Sequence, residues 1–208
     1  MAGHSKWSTI KHKKGAADAK RGKLFAKLIR QVEVAARNGG GDLDANPTLR
    51  TMFQKARDAS VPLDTIERAV KRGTGELEGV TYEEVTYEGY APNGVAVFVE
   101  ALTDNRNRTG PEMRALFSKL GGSMAEPGSV AWQFERKGIV RVPGSVPEDD
   151  LMLVALDAGA EDIREEGGGW TVVCEPSSTA AVRHAIEEAG IEVESSDLTM
   201  LPTSTVPL

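Results

Sequence analysis

Binding phosphate is the chemistry that the first residues of this chain are equipped for. The opening stretch MAGHSKWSTIKHKK carries Lys6, Lys11, Lys13 and Lys14, with His12 among them and no carboxylate. From Met1 to Arg30 there are nine Lys+Arg and one acidic residue, Asp18, so intrachain pairing leaves most of these cations without a partner. Trp7 lies among the lysines. An exposed indole there would stack on a base, although the same ring would equally fill a helical core. A second donor-rich stretch, LTDNRNRTGPE, alternates Asn105, Arg106, Asn107 and Arg108 just ahead of an expected helix start. Backbone N–H groups at such a start favour an anion. The same residues read equally well as a polar loop closed by a Thr109 cap.

Other chemistries find little material. The histidines are His4, His12 and His184, and His184 falls mid-helix among alanines. The single cysteine, Cys174, excludes an internal disulfide or a multi-cysteine zinc site, and no histidine is placed to activate it. The acidic pairs Glu83-Glu84, Glu165-Glu166 and Glu187-Glu188 are neighbours in sequence and read as solvated edges. GAADAKRGK superficially resembles a phosphate loop, but Leu24 follows Lys23 where Ser or Thr is needed. No catalytic residue, metal site or cofactor is expected, and an enzyme is not expected.

The elements that must position the cations follow from periodicity. Leu24, Phe25, Leu28, Ile29, Val32, Ala35 and Ala36 recur at helical steps and predict a helix from Gly15 to Arg37. Lys20, Lys23, Lys27, Arg30 and Arg37 fall on its opposite face, with Arg21 beside them. Gly39-Gly40-Gly41 ends it. A second helix begins at Asn46-Pro47 and a third near Pro62 or Asp64, where Asp64 and Glu67 have capping-box spacing. Past Gly138 the order is strand, helix, strand, strand, helix, strand, the ferredoxin-like succession, with Ser177 or Ser178 capping the second helix. Residues 80–136 resemble an unfinished relative of it: strands at Tyr82–Glu88 and Val95–Leu102, a helix from Pro111 to Leu120, and a strand through Val130, Trp132 and Phe134.

Charge divides along the same lines. Residues 1–75 hold 16 Lys+Arg against 7 Asp+Glu, a net of +9, whereas residues 76–208 hold 9 against 24, a net of -15. That asymmetry hides inside a whole-chain net of -6 and points to a polyanionic partner for the first part. The composition, 40% hydrophobic with no apolar run near 18 residues, suits a soluble fold and predicts no membrane span. Nothing at the start resembles a secretory signal, so a cytoplasmic protein is expected.

The stretches MAGHSKW, IKHKK, NPTLR, YEGYAPNGVAV, VEALTDNRNRT and GGSMAEPGSVAW together resemble the YebC/PmpR family, which includes the mitochondrial translational activator of cytochrome c oxidase. The resemblance covers essentially the whole chain. It implies an α+β protein: a three-helix N-terminal domain followed by two ferredoxin-like α+β domains, the third inserted in the second. Expected boundaries are 1–75, 76–136 plus about 200–208, and 137–200. Family members continue past LTMLPTSTVPL, so a chain shortened at its C-terminus is expected. The resemblance also implies a DNA-binding transcriptional regulator or, alternatively, a ribosome-associated, ribosomal-RNA-binding translation factor that helps at proline-rich stretches. Nucleic acid is the expected partner, with the ribosome a candidate and no small-molecule substrate. Its contacts would be Lys6, Trp7, Lys11, His12, Lys13, Lys14, Lys20, Arg21, Lys23, Lys27 and Arg30. Asn105, Arg106, Asn107 and Arg108 would form a second anchor.

Overall fold

A computed structural model describes residues 4–205, with side chains from residue 20 onward. Helix α1 spans His4–Gly39, beginning well before the expected Gly15. Its buried residues Leu28, Val32, Ala35 and Ala36 pack against Leu49, Met52 and Ala56 of α2 (Pro47–Asp58) and Ile66 and Ala69 of α3 (Leu63–Gly73). Each large aliphatic side chain buried here contributes about 1.5–3 kcal/mol. Gly40, at φ +84, closes α1. Asn46 then does two jobs. Its Oδ1 accepts from the Leu49 N–H (3.0 Å), capping α2, and its Nδ2 donates to the Ala35 and Gly40 carbonyls, at 2.9 and 2.8 Å. The Asp64–Glu67 capping box does not form, because the N-cap is Pro62, two residues before Asp64, which lies inside the first turn, and Pro62 makes no side-chain cap.

The middle unit is a three-stranded sheet in the order β2-β1-β3, built from β1 (Glu83–Tyr90), β2 (Ala96–Thr103) and β3 (Ser123–Ala125), with α4 (Arg106–Lys119). Two expectations fail here for identifiable reasons. Helix α4 starts at Arg106 rather than Pro111, because the Asn105 side chain accepts from the Arg108 N–H (3.0 Å) and caps it. Thr109, the expected cap, lies inside the helix, its hydroxyl 2.8 Å from that of Thr103. The strand read through Val130, Trp132 and Phe134 is instead a 3-10 turn at Ala131–Gln133, and only Phe134 enters a strand. The buried Glu88 carboxylate accepts from the N–H groups of Gly128, Val130 and Ala131, at 2.7, 2.7 and 2.8 Å. Consecutive amides turned to one acceptor cannot alternate as a strand requires.

The last unit follows the expected succession: β4 (Phe134–Pro143), α5 (Glu148–Asp157), β5 (Ala160–Glu166), β6 (Gly169–Cys174), α6 (Thr179–Glu188) and β7 (Ser195–Pro202). Its antiparallel sheet has the order β5-β6-β4-β7. The core is Val140, Val142, Val172 and Cys174 under Leu151, Ala155, Val182 and Ile186. Neither Ser177 nor Ser178 caps α6 with its side chain; the Thr179 hydroxyl instead donates to the Pro176 carbonyl (2.9 Å). Gly167 and Gly168, at φ +63 and +81, make the two-residue β5–β6 turn. The chain is α+β, helices first and two sheets after.

The three units touch one another. Leu198 of β7 packs on the helical core, Lys55 of α2 pairs with Asp197 (2.5 Å), and Arg183 of α6 grips Asp58 through two nitrogens, at 2.6 and 3.1 Å. Arg37 donates to the Tyr82 carbonyl (2.6 Å), and the Phe98 and Phe134 rings lie 5.7 Å apart between the sheets. No described helix is long and apolar enough to cross a membrane.

Candidate nucleic-acid interface

Lys20, Lys23, Lys27 and Arg30 fall within roughly an 80° arc of α1, given about 3.6 residues per turn. All four are exposed, and so is Arg21 further round the helix. Lys20, Arg21, Lys23 and Lys27 form no ion pair among the described residues, and Arg30 has only an aromatic partner, its guanidinium carbon lying 4.9 Å from the Tyr82 ring centroid. Several cations of the acidic part are paired, although Arg114, Lys119, Arg136 and Arg141 form no ion pair among the described residues. Lys137 stands 2.9 and 2.5 Å from Glu161 and Glu175, which push its pKa upward, and Arg164 meets Asp162 at 2.6 Å. The ridge is therefore charge that the fold leaves open. Lys6, Trp7, Lys11, His12, Lys13 and Lys14 have side chains outside the described residues.

The donor-rich stretch occupies the first turn of α4 rather than a loop. Asn105 is committed to the cap, Arg106 reaches Glu83 at 3.6 Å, and Arg108 pairs with Asp104 at 2.6 Å. That bond to Arg108 is the main reason the Asp104 carboxyl lies below its usual range, and Arg30 adds to the effect. The end of the ridge and the start of α4 are thus within electrostatic reach of each other. Both arginines already face carboxylates, so an anion arriving there must compete for them.

The ridge leads into a cleft of about 600 Å³ where the three units meet. Lys27, Arg30, Gln31 and Val34 of α1 form one wall, with Thr48 and Met52 of α2 beside it. Glu84 of β1, Glu100 of β2, Arg136 of β4 and Leu198 of β7 form the other. Burial pushes the Glu100 carboxyl up; Arg136 opposes this, Glu84 and Asp197 reinforce it, and Lys27 opposes it weakly. Sequence reading missed this cleft, because its walls come from residues far apart in the chain. Among the described residues no cluster of His, Cys, Asp and Glu is arranged to hold a metal ion.

Comparison with known proteins places this geometry. Residues 5–76 match the family model described as the TACO1/YebC protein N-terminal domain, and residues 82–208 match the TACO1/YebC second and third domain. The chain belongs to the TACO1/YebC family. Proteins named probable transcriptional regulatory protein from Rubrobacter xylanophilus and Desulfatibacillum aliphaticivorans are 60% and 58% identical to it. The alignments cover 100% and 99% of this chain and 84% of each relative. The crystal structure of a conserved hypothetical protein from Aquifex aeolicus superposes with a TM-score of 0.82 at 47% identity, covering 91% of this chain and 78% of that one. In this TACO1/YebC chain the ridge falls within the match to the family's N-terminal domain, and the cleft draws on both matched segments.

Proposed function

We propose that this protein is a non-enzymatic regulator of gene expression that holds nucleic acid on the basic face of α1. The observation that carries this reading is the row Lys20, Lys23, Lys27 and Arg30, exposed on one helix face beside a body of opposite charge. Lysine ammonium groups in such a row grip phosphates and release condensed counterions. The acidic remainder, at -15 past residue 75, turns a polyanion toward that face. The names of the relatives support a regulatory role. A transcriptional role would make DNA the partner.

A second reading, a ribosomal-RNA-binding translation factor, is favoured by the chemistry of the ridge. It offers cations without interspersed Asn, Gln or Ser, which suits backbone contact rather than the reading of base edges in a DNA groove. Triple charge reversal at Lys20, Lys23 and Lys27 to Glu tests the shared premise. Affinity for duplex DNA and for ribosomal RNA should fall, and the log–log salt slope should shrink by about 0.7–0.9 for each phosphate no longer neutralised. An unchanged slope would remove the ridge from the interface. Sedimentation with ribosomes that ribonuclease abolishes selects the RNA reading, and protection of specific promoter DNA selects the other.

A further inference from the structure

The cleft beside the ridge has a chemistry unlike the ridge itself. Its mouth is cationic, through Lys27 and Arg30, and those two residues also belong to the exposed row. The facing wall adds two exposed carboxylates, Glu84 and Glu100, together with the Arg136 guanidinium. The Oε1 of Gln31 is shut from solvent with no hydrogen-bond partner among the described residues. An unsatisfied amide oxygen gains by meeting a donor, and Gln31 is one of the residues lining the cleft. Val34, Met52 and Leu198 supply apolar surface. Two carboxylates make this space less suited than the ridge to a run of phosphates. They suit a flat, partly apolar group that carries N–H donors.

We propose that the cleft receives one unstacked nucleotide of a single strand lying on the α1 ridge, and that it prefers bases bearing an exocyclic amino group. This deepens the nucleic-acid reading above and rests on it. The phosphates flanking the nucleotide stay on Lys27 and Arg30. Its base enters against Val34, Met52 and Leu198, and its amino group donates to Glu100, Glu84 or Gln31. Adenine, cytosine and guanine all present such a donor, and carboxylate acceptance from an amino base edge is an established pairing. Uracil offers carbonyl oxygens at the equivalent edge, and these would face the carboxylates. The volume, about 600 Å³, lies inside the usual range for small-ligand sites, roughly 300–1,000 Å³. Single strands are read in this way elsewhere, by splaying bases out of the stack into pockets of protein.

The test uses the full chain and fluorescence anisotropy with a short oligouridine and the same oligomer carrying one central cytidine or adenosine. The substituted oligomers should bind about tenfold more tightly. Gln31→Leu and Glu100→Gln should each reduce that preference, with thermal melts confirming that both variants fold. Lys20→Glu, outside the cleft, should weaken every oligomer alike. Equal affinity for all oligomers, together with a clear loss in Lys20→Glu, overturns the nucleotide pocket and leaves the ridge reading standing. No oligomer bound, with Lys20→Glu without effect, overturns both.

Discussion

Replacing Glu88 with glutamine puts an amide where three backbone N–H groups converge. Burial alone would raise this carboxyl, but the bonds from Gly128, Val130 and Ala131 outweigh burial and hold it below the ordinary range of a glutamate. A carboxyl depressed on folding adds stability that is present above its unfolded value and is lost as pH falls through the folded one. At neutral pH Glu88→Gln should therefore cost about 1.5–3 kcal/mol in denaturant melts. The gap between the two proteins should narrow as the medium is acidified below the ordinary carboxylate range. A gap of the same size at neutral and acid pH would show that charge is not what holds the 128–131 turn. Nothing in the local sequence marks Glu88 for this role. It stands in an alternating strand opposite Phe98, and its three donors lie some forty residues away.

At the scale of elements, Gly22 of α1 and Gly73 of α3 separate propensity from packing. Among the described residues, a Cβ added at Gly22 meets nothing within 4 Å, whereas one added at Gly73 runs into the Glu33 carbonyl and lies 2.7 Å from the Ala36 Cβ. Gly22→Ala is expected to raise stability by about 0.4–1 kcal/mol, and Gly73→Ala to lower it by prying α3 from α1. Thermal midpoints moving the same way in both variants would contradict that contrast. The helices and the βαββαβ order were legible because apolar period and glycine punctuation are local signals. Leu28, Val32 and Ala35 announce a buried face, and Gly167-Gly168 a tight turn. The start of α4 and the 131–133 turn were not legible, because a cap at Asn105 and a distant carboxylate overrode Pro111 and the Val130-Trp132-Phe134 alternation. Half of the site follows the same rule. The ridge is read from contiguous charge, while the cleft needs Gln31, Glu100 and Arg136 brought together by the fold.

Across the whole molecule, the helical bundle is fastened to the four-stranded sheet by few polar contacts. Arg183 with Asp58 and Lys55 with Asp197 join α2 to α6 and β7, and the Arg183 and Asp58 side chains are only 11% and 16% exposed. Arg183→Ala should leave Asp58 without its principal partner, cost about 1–3 kcal/mol, and split a single calorimetric transition into two as the bundle melts apart from the sheet. An unsplit transition with an unmoved midpoint would show that apolar contact through Leu198 suffices to hold the units together. The four-stranded unit itself is attached in an unusual place. Phe134, where β4 begins, pairs with Pro202, where β7 ends, and the Thr203 N–H donates to the Gln133 carbonyl at 2.8 Å. The way in and the way out thus cross one rung of one ladder. A module hung from a single doorway can be removed, exchanged or acquired without re-routing the rest of the chain.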